Sequence, residues 1–154
     1  MEILNEILQN KVLIAGIISW GMAQILKFII YLIVHKELDF SRLFGDGGMP
    51  SGHSATVSSM ATMAALVYGL SSFEFAISFM MAIIVMHDAM GVRLETGKQA
   101  KVLNELTTIL KDMGTLVTNF SEKKLKEFVG HTPLQVVMGC LLGIAIAIIY
   151  FVCV

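Results

Sequence analysis

The sequence predicts an all-α membrane protein: four transmembrane helices in a compact bundle, with an amphipathic cytoplasmic helical loop. Three observations carry this. Of the 154 residues, 56% are hydrophobic and only 15% are charged. Mean hydropathy is +0.77. Four apolar stretches approach the roughly 20 residues that a helix needs to cross a bilayer. So apolar a composition is unlike that of a soluble domain, and the length fits one domain covering residues 1–154. A net charge of −1 and the lack of a basic recognition motif argue against a nucleic-acid partner.

Residues 1–11 read as a short interfacial helix turn, with no basic leader or small-residue cleavage site of a signal peptide. Residues 12–34 are apolar except for Gln24 and Lys27 and form the first span. Residues 35–52 make a loop carrying Lys36, Glu37, Asp39, Arg42 and Asp46. Residues 53–71, rich in Ala, Ser and Met, form the second and shortest span. Ser71 and Ser72 mark a tight connection to a third span over residues 73–92, with His87 and Asp88 near its end. Residues 93–132 form a long polar loop. Within it, 98–113 has helical spacing, with Ala100, Val102, Leu103, Leu106, Ile109 and Leu110 on one apolar side, and predicts a helix on the bilayer surface or against the bundle. A second short helix is expected over 122–129. Residues 133–153 form the fourth span, where Gly139 and Gly143 have a spacing that permits close helix packing and a homodimer.

Both large loops fall on one side of a four-span bundle and hold nearly all the Lys and Arg. The charge bias therefore puts them in the cytoplasm and both termini outside. Cys140 and Cys153 lie in the last span and read as packing or lipid-facing residues, not as a disulfide or metal framework.

The chemistry concentrates at that cytoplasmic side. Gly47, Gly48, Pro50, Ser51, Gly52 and His53 precede or open an apolar helix. Glycines allow a backbone to approach a ligand, and a helix start offers unpaired N–H groups to an anion. His53 adds a group that titrates near neutral pH. Lys27 is an ionisable residue inside an apolar span, which reads either as a snorkelling cation or as one reaching a bound anion. Arg93 follows the third span and offers a planar fork for phosphate. His87 and Asp88 are adjacent, so they point about 100° apart on a helix and make a weak metal pair. His131 stands before the fourth span. Gln135, one turn on, can orient the His131 imidazole for service as a nucleophile or base.

These segments together resemble the divergent branch of the type 2 phosphatidic acid phosphatase superfamily. The resemblance rests on Pro50 to Ser54, Asp88 to Arg93, Gly97 to Ala100, Leu103 with Asn104, and Gly130 to Pro133, and on the spacing of His131, Gln135, Gly139 and Gly143. It covers nearly the whole chain. It implies a membrane phosphatase acting without a metal or other cofactor on a lipid or isoprenoid phosphate. His131 would be the nucleophile and His53 the acid that protonates the leaving oxygen. Ser51 and Gly52 would be donors to phosphate oxygens, and Lys27 and Arg93 cationic ligands, with Arg42 and Lys126 as looser ones. Gln135 stands where the superfamily's aspartate holds the nucleophile, and a neutral amide supports an imidazolium less well. The alternative is a non-catalytic membrane protein, binding anionic lipid or related to transport, with a degenerate phosphatase site. A purely structural four-span scaffold is the third reading.

Overall fold

A helix rich in serine and alanine can let other helices come close, because small side chains keep the backbones from being held apart. In the computed structural model, this is the role of the second apolar segment. The structure describes residues 2–36, 48–112, 125 and 130–154, the side chains of Arg93, Lys111 and Asp112 excepted. The elements in order are α1 (Glu2–Gln9), α2 (Lys11–His35), α3 (Gly52–Tyr68), α4 (Phe73–Met90), α5 (Val92–Asp112) and α6 (Pro133–Cys153). Helix α3 packs against α2, α4 and α6, whereas α1 touches α2 and α5 touches α4.

The interior is small and partly polar. Helix α3 buries Ser54, Ala55, Ser58, Ser59, Ala61, Met63 and Ala64. Its hydroxyls reach backbone carbonyls on the neighbours. Ser59 Oγ donates to the Ala15 carbonyl on α2 at 3.0 Å, and Ser19 Oγ on α2 donates back to the Ala55 carbonyl at 3.1 Å. Ser58 Oγ donates within α3 to the Ser54 carbonyl at 2.6 Å and stands 3.2 Å from the Cys140 carbonyl on α6. On α6, Gly139 lies against the Ser51 carbonyl and Gly143 against the Ala55 carbonyl and Ser58 Oγ, with no room for a Cβ at either.

The outer faces are the apolar ones. Ile17, Ile25 and Ile33 on α2, Ile77 and Ile84 on α4, and Leu141 and Ile148 on α6 are all exposed. Small polar residues inside and large aliphatic ones outside reverse the soluble pattern and suit lipid as solvent. Helix α2, the helical stretch Phe73–Leu110 that begins with α4, and α6 are long and apolar enough to cross a membrane. Helix α3 has 17 residues, fewer than the roughly 20 that span a bilayer unaided.

The observed boundaries depart from the sequence reading where glycine intervenes. Helix α3 ends at Tyr68 because Gly69 takes a φ of 87°, so the expected end at residue 71 is too late. Helix α4 ends at Met90 and α5 begins at Val92, with Gly91 between them. The expected break over 93–97 is therefore absent, and the surface helix starts six residues earlier than its apolar pattern indicated. Ser72 caps α4 by accepting the Phe75 N–H at 3.1 Å, as a tight connection requires. Of the helix expected over 122–129, only Leu125 lies within the described residues. The Asn104 side chain on α5 holds both its backbone groups, at 2.9 and 3.1 Å.

The glycine contacts set a graded expectation. Gly139→Ala and Gly143→Ala each force α6 away from α3 and should cost about 1–3 kcal/mol. Gly21 on α2 has nothing within 4 Å of its Cβ position, so Gly21→Ala should leave the melting temperature in detergent unchanged or slightly raised. Equal effects at the three positions would contradict the packing described.

Candidate phosphate site

Two helix N-termini meet at one end of the molecule. Ser51 caps α3 and Thr132 caps α6, each in an extended conformation. The two starts are tied together by the Ser51 N–H, which donates to the Gln135 carbonyl at 3.0 Å. The end of α4 joins them: the His131 N–H donates to the Ala89 carbonyl at 3.0 Å. These backbone bonds set where His53 and His131 stand before any side-chain chemistry is considered.

His131 is 3% exposed, and His53 is half-buried. Their rings pack edge to face with centroids 6.0 Å apart. Two residues 78 positions apart in the sequence therefore face one another. Gln135 Oε1 accepts the Thr132 N–H at 3.0 Å, while the Gln135 N–H donates to Thr132 Oγ1 at 3.4 Å, completing a capping box. The same Oε1 lies 3.3 Å from His131 Nδ1. Because the capping bond requires an oxygen at that position, the Nδ1 contact is a hydrogen bond only if Nδ1 carries the proton. The neutral imidazole then has its lone pair on Nε2, the form needed for nucleophilic attack.

Ser51 is fully buried. Its hydroxyl accepts from the Ser54 N–H at 3.3 Å and from Ser54 Oγ at 3.0 Å. With both lone pairs engaged, the remaining capacity of the hydroxyl is its own proton, a donor suited to an anion. Gly52 opens α3, and its N–H has no acceptor within the helix. Ser54 belongs to the motif but has no role assigned from the sequence, because its contacts with Ser51 exist only once the helix start is formed.

Lys27 is 7% exposed, so the snorkelling reading of this residue fails: its side chain does not run out to solvent. The stem passes beneath Gly48, with Cγ and Cδ 3.2 and 3.3 Å from where a Cβ there would stand. Gly48 has a φ of 87°, and both its conformation and this approach favour glycine. Two turns and one turn earlier on α2, Trp20 Cδ1 and Gln24 Nε2 lie 3.7 and 3.8 Å from the Cβ position of Gly52. Helix α2 thus forms a floor under residues 48–52. Gln24 was legible as one of two polar interruptions in an apolar span, but no motif attached it to a site.

The other expected ligands are placed less fully. Arg93 lies in the first turn of α5, three residues after the end of α4, and its side chain is outside the described residues. Arg42 and Lys126 are also outside them. His87 is exposed and lines an open groove between α4 and α6. Among the described residues, no three His, Cys, Asp or Glu side chains converge in a way that could hold a metal ion.

The profile of the divergent PAP2 family matches residues 8–146. The chain belongs to the divergent PAP2 family. It is also similar to the uncharacterized membrane protein YuiD of Bacillus subtilis (strain 168), at 40% identity over 151 residues, covering 94% of this chain and 96% of the relative. No solved structure matches.

The capping box yields a separable expectation. Thr132→Ala removes one cap bond and should cost about 0.5–2 kcal/mol. Gln135→Met removes the other cap bond and also the His131 contact. Both should lower the melting temperature. Only Gln135→Met should change the imidazole 15N shifts that report which ring nitrogen of His131 carries the proton.

Proposed function

We propose that the protein is a membrane phosphatase that hydrolyses a phosphomonoester or diphosphate of a lipid or isoprenoid through a phosphohistidine. The observation that carries this reading is the pairing of His131 and His53, 6.0 Å apart at the joined starts of α3 and α6. His131 Nε2 attacks phosphorus, and the bond to the leaving oxygen breaks as His53 gives that oxygen a proton. Water then attacks the phosphohistidine. The P–N pair returns to His131, and His53 takes a proton from the water. Lys27, the Ser51 hydroxyl and the Gly52 N–H hold the phosphoryl oxygens, with Arg93 as a further cation. Such groups stabilise the transition state by being in place before charge develops.

In this reading, α3 is the second of four spans, shortened because it is enclosed by the others. The Lys and Arg bias supports a site that faces the cytoplasm. An open groove of about 390 Å³ between α4 and α6 supports a hydrocarbon-bearing substrate. Met86, Met90, Val136 and Val137 line it, next to the residues that hold His131.

One observation favours a second reading. Gln135 gives His131 a neutral, capping-box oxygen where a carboxylate would better support an imidazolium. A site that binds anionic lipid without turning it over is compatible with that chemistry.

Purified protein in vesicles, assayed for phosphate release from a panel of phosphorylated lipids, separates the two. Catalysis predicts release that His131→Ala abolishes and that His53→Ala slows by about 10²–10⁴-fold. It also predicts an acid-labile phosphoenzyme in the wild type. Lipid binding with no release from any substrate would establish the second reading.

A further inference from the structure

Gln24 carries an unfilled hydrogen-bonding position. Its Oε1 is shielded from solvent and accepts no hydrogen bond, the buried side-chain atom of which this holds among the described residues. A buried acceptor without a donor is unfavourable, and native proteins keep few of them. The position of this one is informative. The same carboxamide lies beside Gly52, the first residue of α3, and one turn from Lys27 on α2. Gly48 and Gly52, the two glycines that bracket Pro50 and Ser51, are where Lys27 and Gln24 respectively pass. Helix α2 thus brings both a cation and a carboxamide to the segment that opens α3, with the Gln24 Nε2 3.8 Å from where a Cβ on Gly52 would stand.

The two groups ask for different things. Lys27, the Ser51 hydroxyl and the Gly52 N–H are donors and suit any oxyanion. A carboxamide oxygen is an acceptor and repels a bare anionic oxygen unless that oxygen carries a hydrogen. We propose that Gln24 is a selectivity residue of this site, its Oε1 accepting a hydrogen bond from a protonated oxygen of the bound phosphoryl group. This rests on the reading of residues 48–53 as a phosphate site. Near neutral pH inorganic phosphate retains at least one proton, whereas sulfate retains none. The two anions are otherwise close in size and shape. The site therefore distinguishes them by a hydrogen bond that only phosphate can give. Among monoesters, it selects the monoanion. Sites built to pair with a ligand hydroxyl reject analogues lacking it more strongly than apolar pockets reject size differences.

The test titrates the purified full-length protein with inorganic phosphate and, separately, with inorganic sulfate, by calorimetry at neutral pH and fixed ionic strength. The wild type should bind phosphate at least about tenfold more tightly than sulfate. Gln24→Met should bring the two within about threefold by weakening phosphate alone. Lys27→Met should weaken both anions together. In anion-free buffer, Gln24→Met should melt at or above the wild-type temperature, since it removes an unpaired buried acceptor. Three results would overturn the assignment: wild-type protein binding sulfate as tightly as phosphate, an unchanged ratio in Gln24→Met, or a marked fall in its melting temperature that makes the carboxamide structural. The first needs no variant to fold. Binding of both anions with an unchanged ratio in Gln24→Met would remove Gln24 and leave the phosphate site standing. Binding of neither anion to the wild type would remove the phosphate site itself, and this proposal with it.

Discussion

The close approach of α3 and α6 is the constraint from which the other features follow. Gly139 and Gly143 bring the α6 backbone against the Ser51 and Ala55 carbonyls, a contact that any Cβ would prevent. In an apolar surround there is little hydrophobic gain in joining two helices, so contact depends on packing and on polar groups that find partners. The serine hydroxyls of α3 supply those partners on both sides, toward Cys140 on α6 and Ala15 on α2. Because Gly139 touches Ser51, the same contact that seats α6 also fixes the start of α3. The Ser51 N–H then reaches the Gln135 carbonyl. Packing in the middle of the helices and register at their ends are one arrangement.

That register is what brings scattered polar residues together. A helix start has N–H groups without partners, and each of these two starts meets part of the need with a side-chain cap, Ser51 or Thr132. Gln135 serves the cap of α6 and the imidazole of His131 with a single oxygen. The cap and the imidazole contact of this residue are therefore inseparable. They also bear on its departure from aspartate: an amide can give its oxygen to the Thr132 N–H and its neighbouring imidazole without placing a further charge in the interior.

Much of the architecture is legible in the residues. Apolar runs located α2, α3, α4 and α6 to within a few positions, since a helix in lipid must satisfy its own backbone and so declares itself by continuous hydrophobicity. Gly69 and Gly91 ended helices earlier than the apolar pattern did, because termination depends on backbone conformation. The helix α5 ran through Gly97, which the sequence placed before its start. Here burial of Gly97 and Ala100 on one side outweighed the weak helix preference of glycine. His53, His131, Gln135, Lys27 and Ser51 stood out as polar or ionisable groups at the ends of apolar segments or within them, where such groups are costly.

By itself the sequence determined the class of the protein, the rough extent of its apolar helices, and the polar and ionisable residues available at their ends. These follow from composition and spacing along one chain. The tertiary structure decided which of those residues meet. The 6.0 Å between the His53 and His131 rings, the passage of Lys27 under Gly48 and the placing of the Gln24 carboxamide, with its orphaned oxygen, beside Gly52 all depend on contacts between segments distant in sequence. The physical reason is that periodicity specifies which face of a helix is buried. Only the fit of small residues into a neighbouring backbone sets the depth and register at which that face is held.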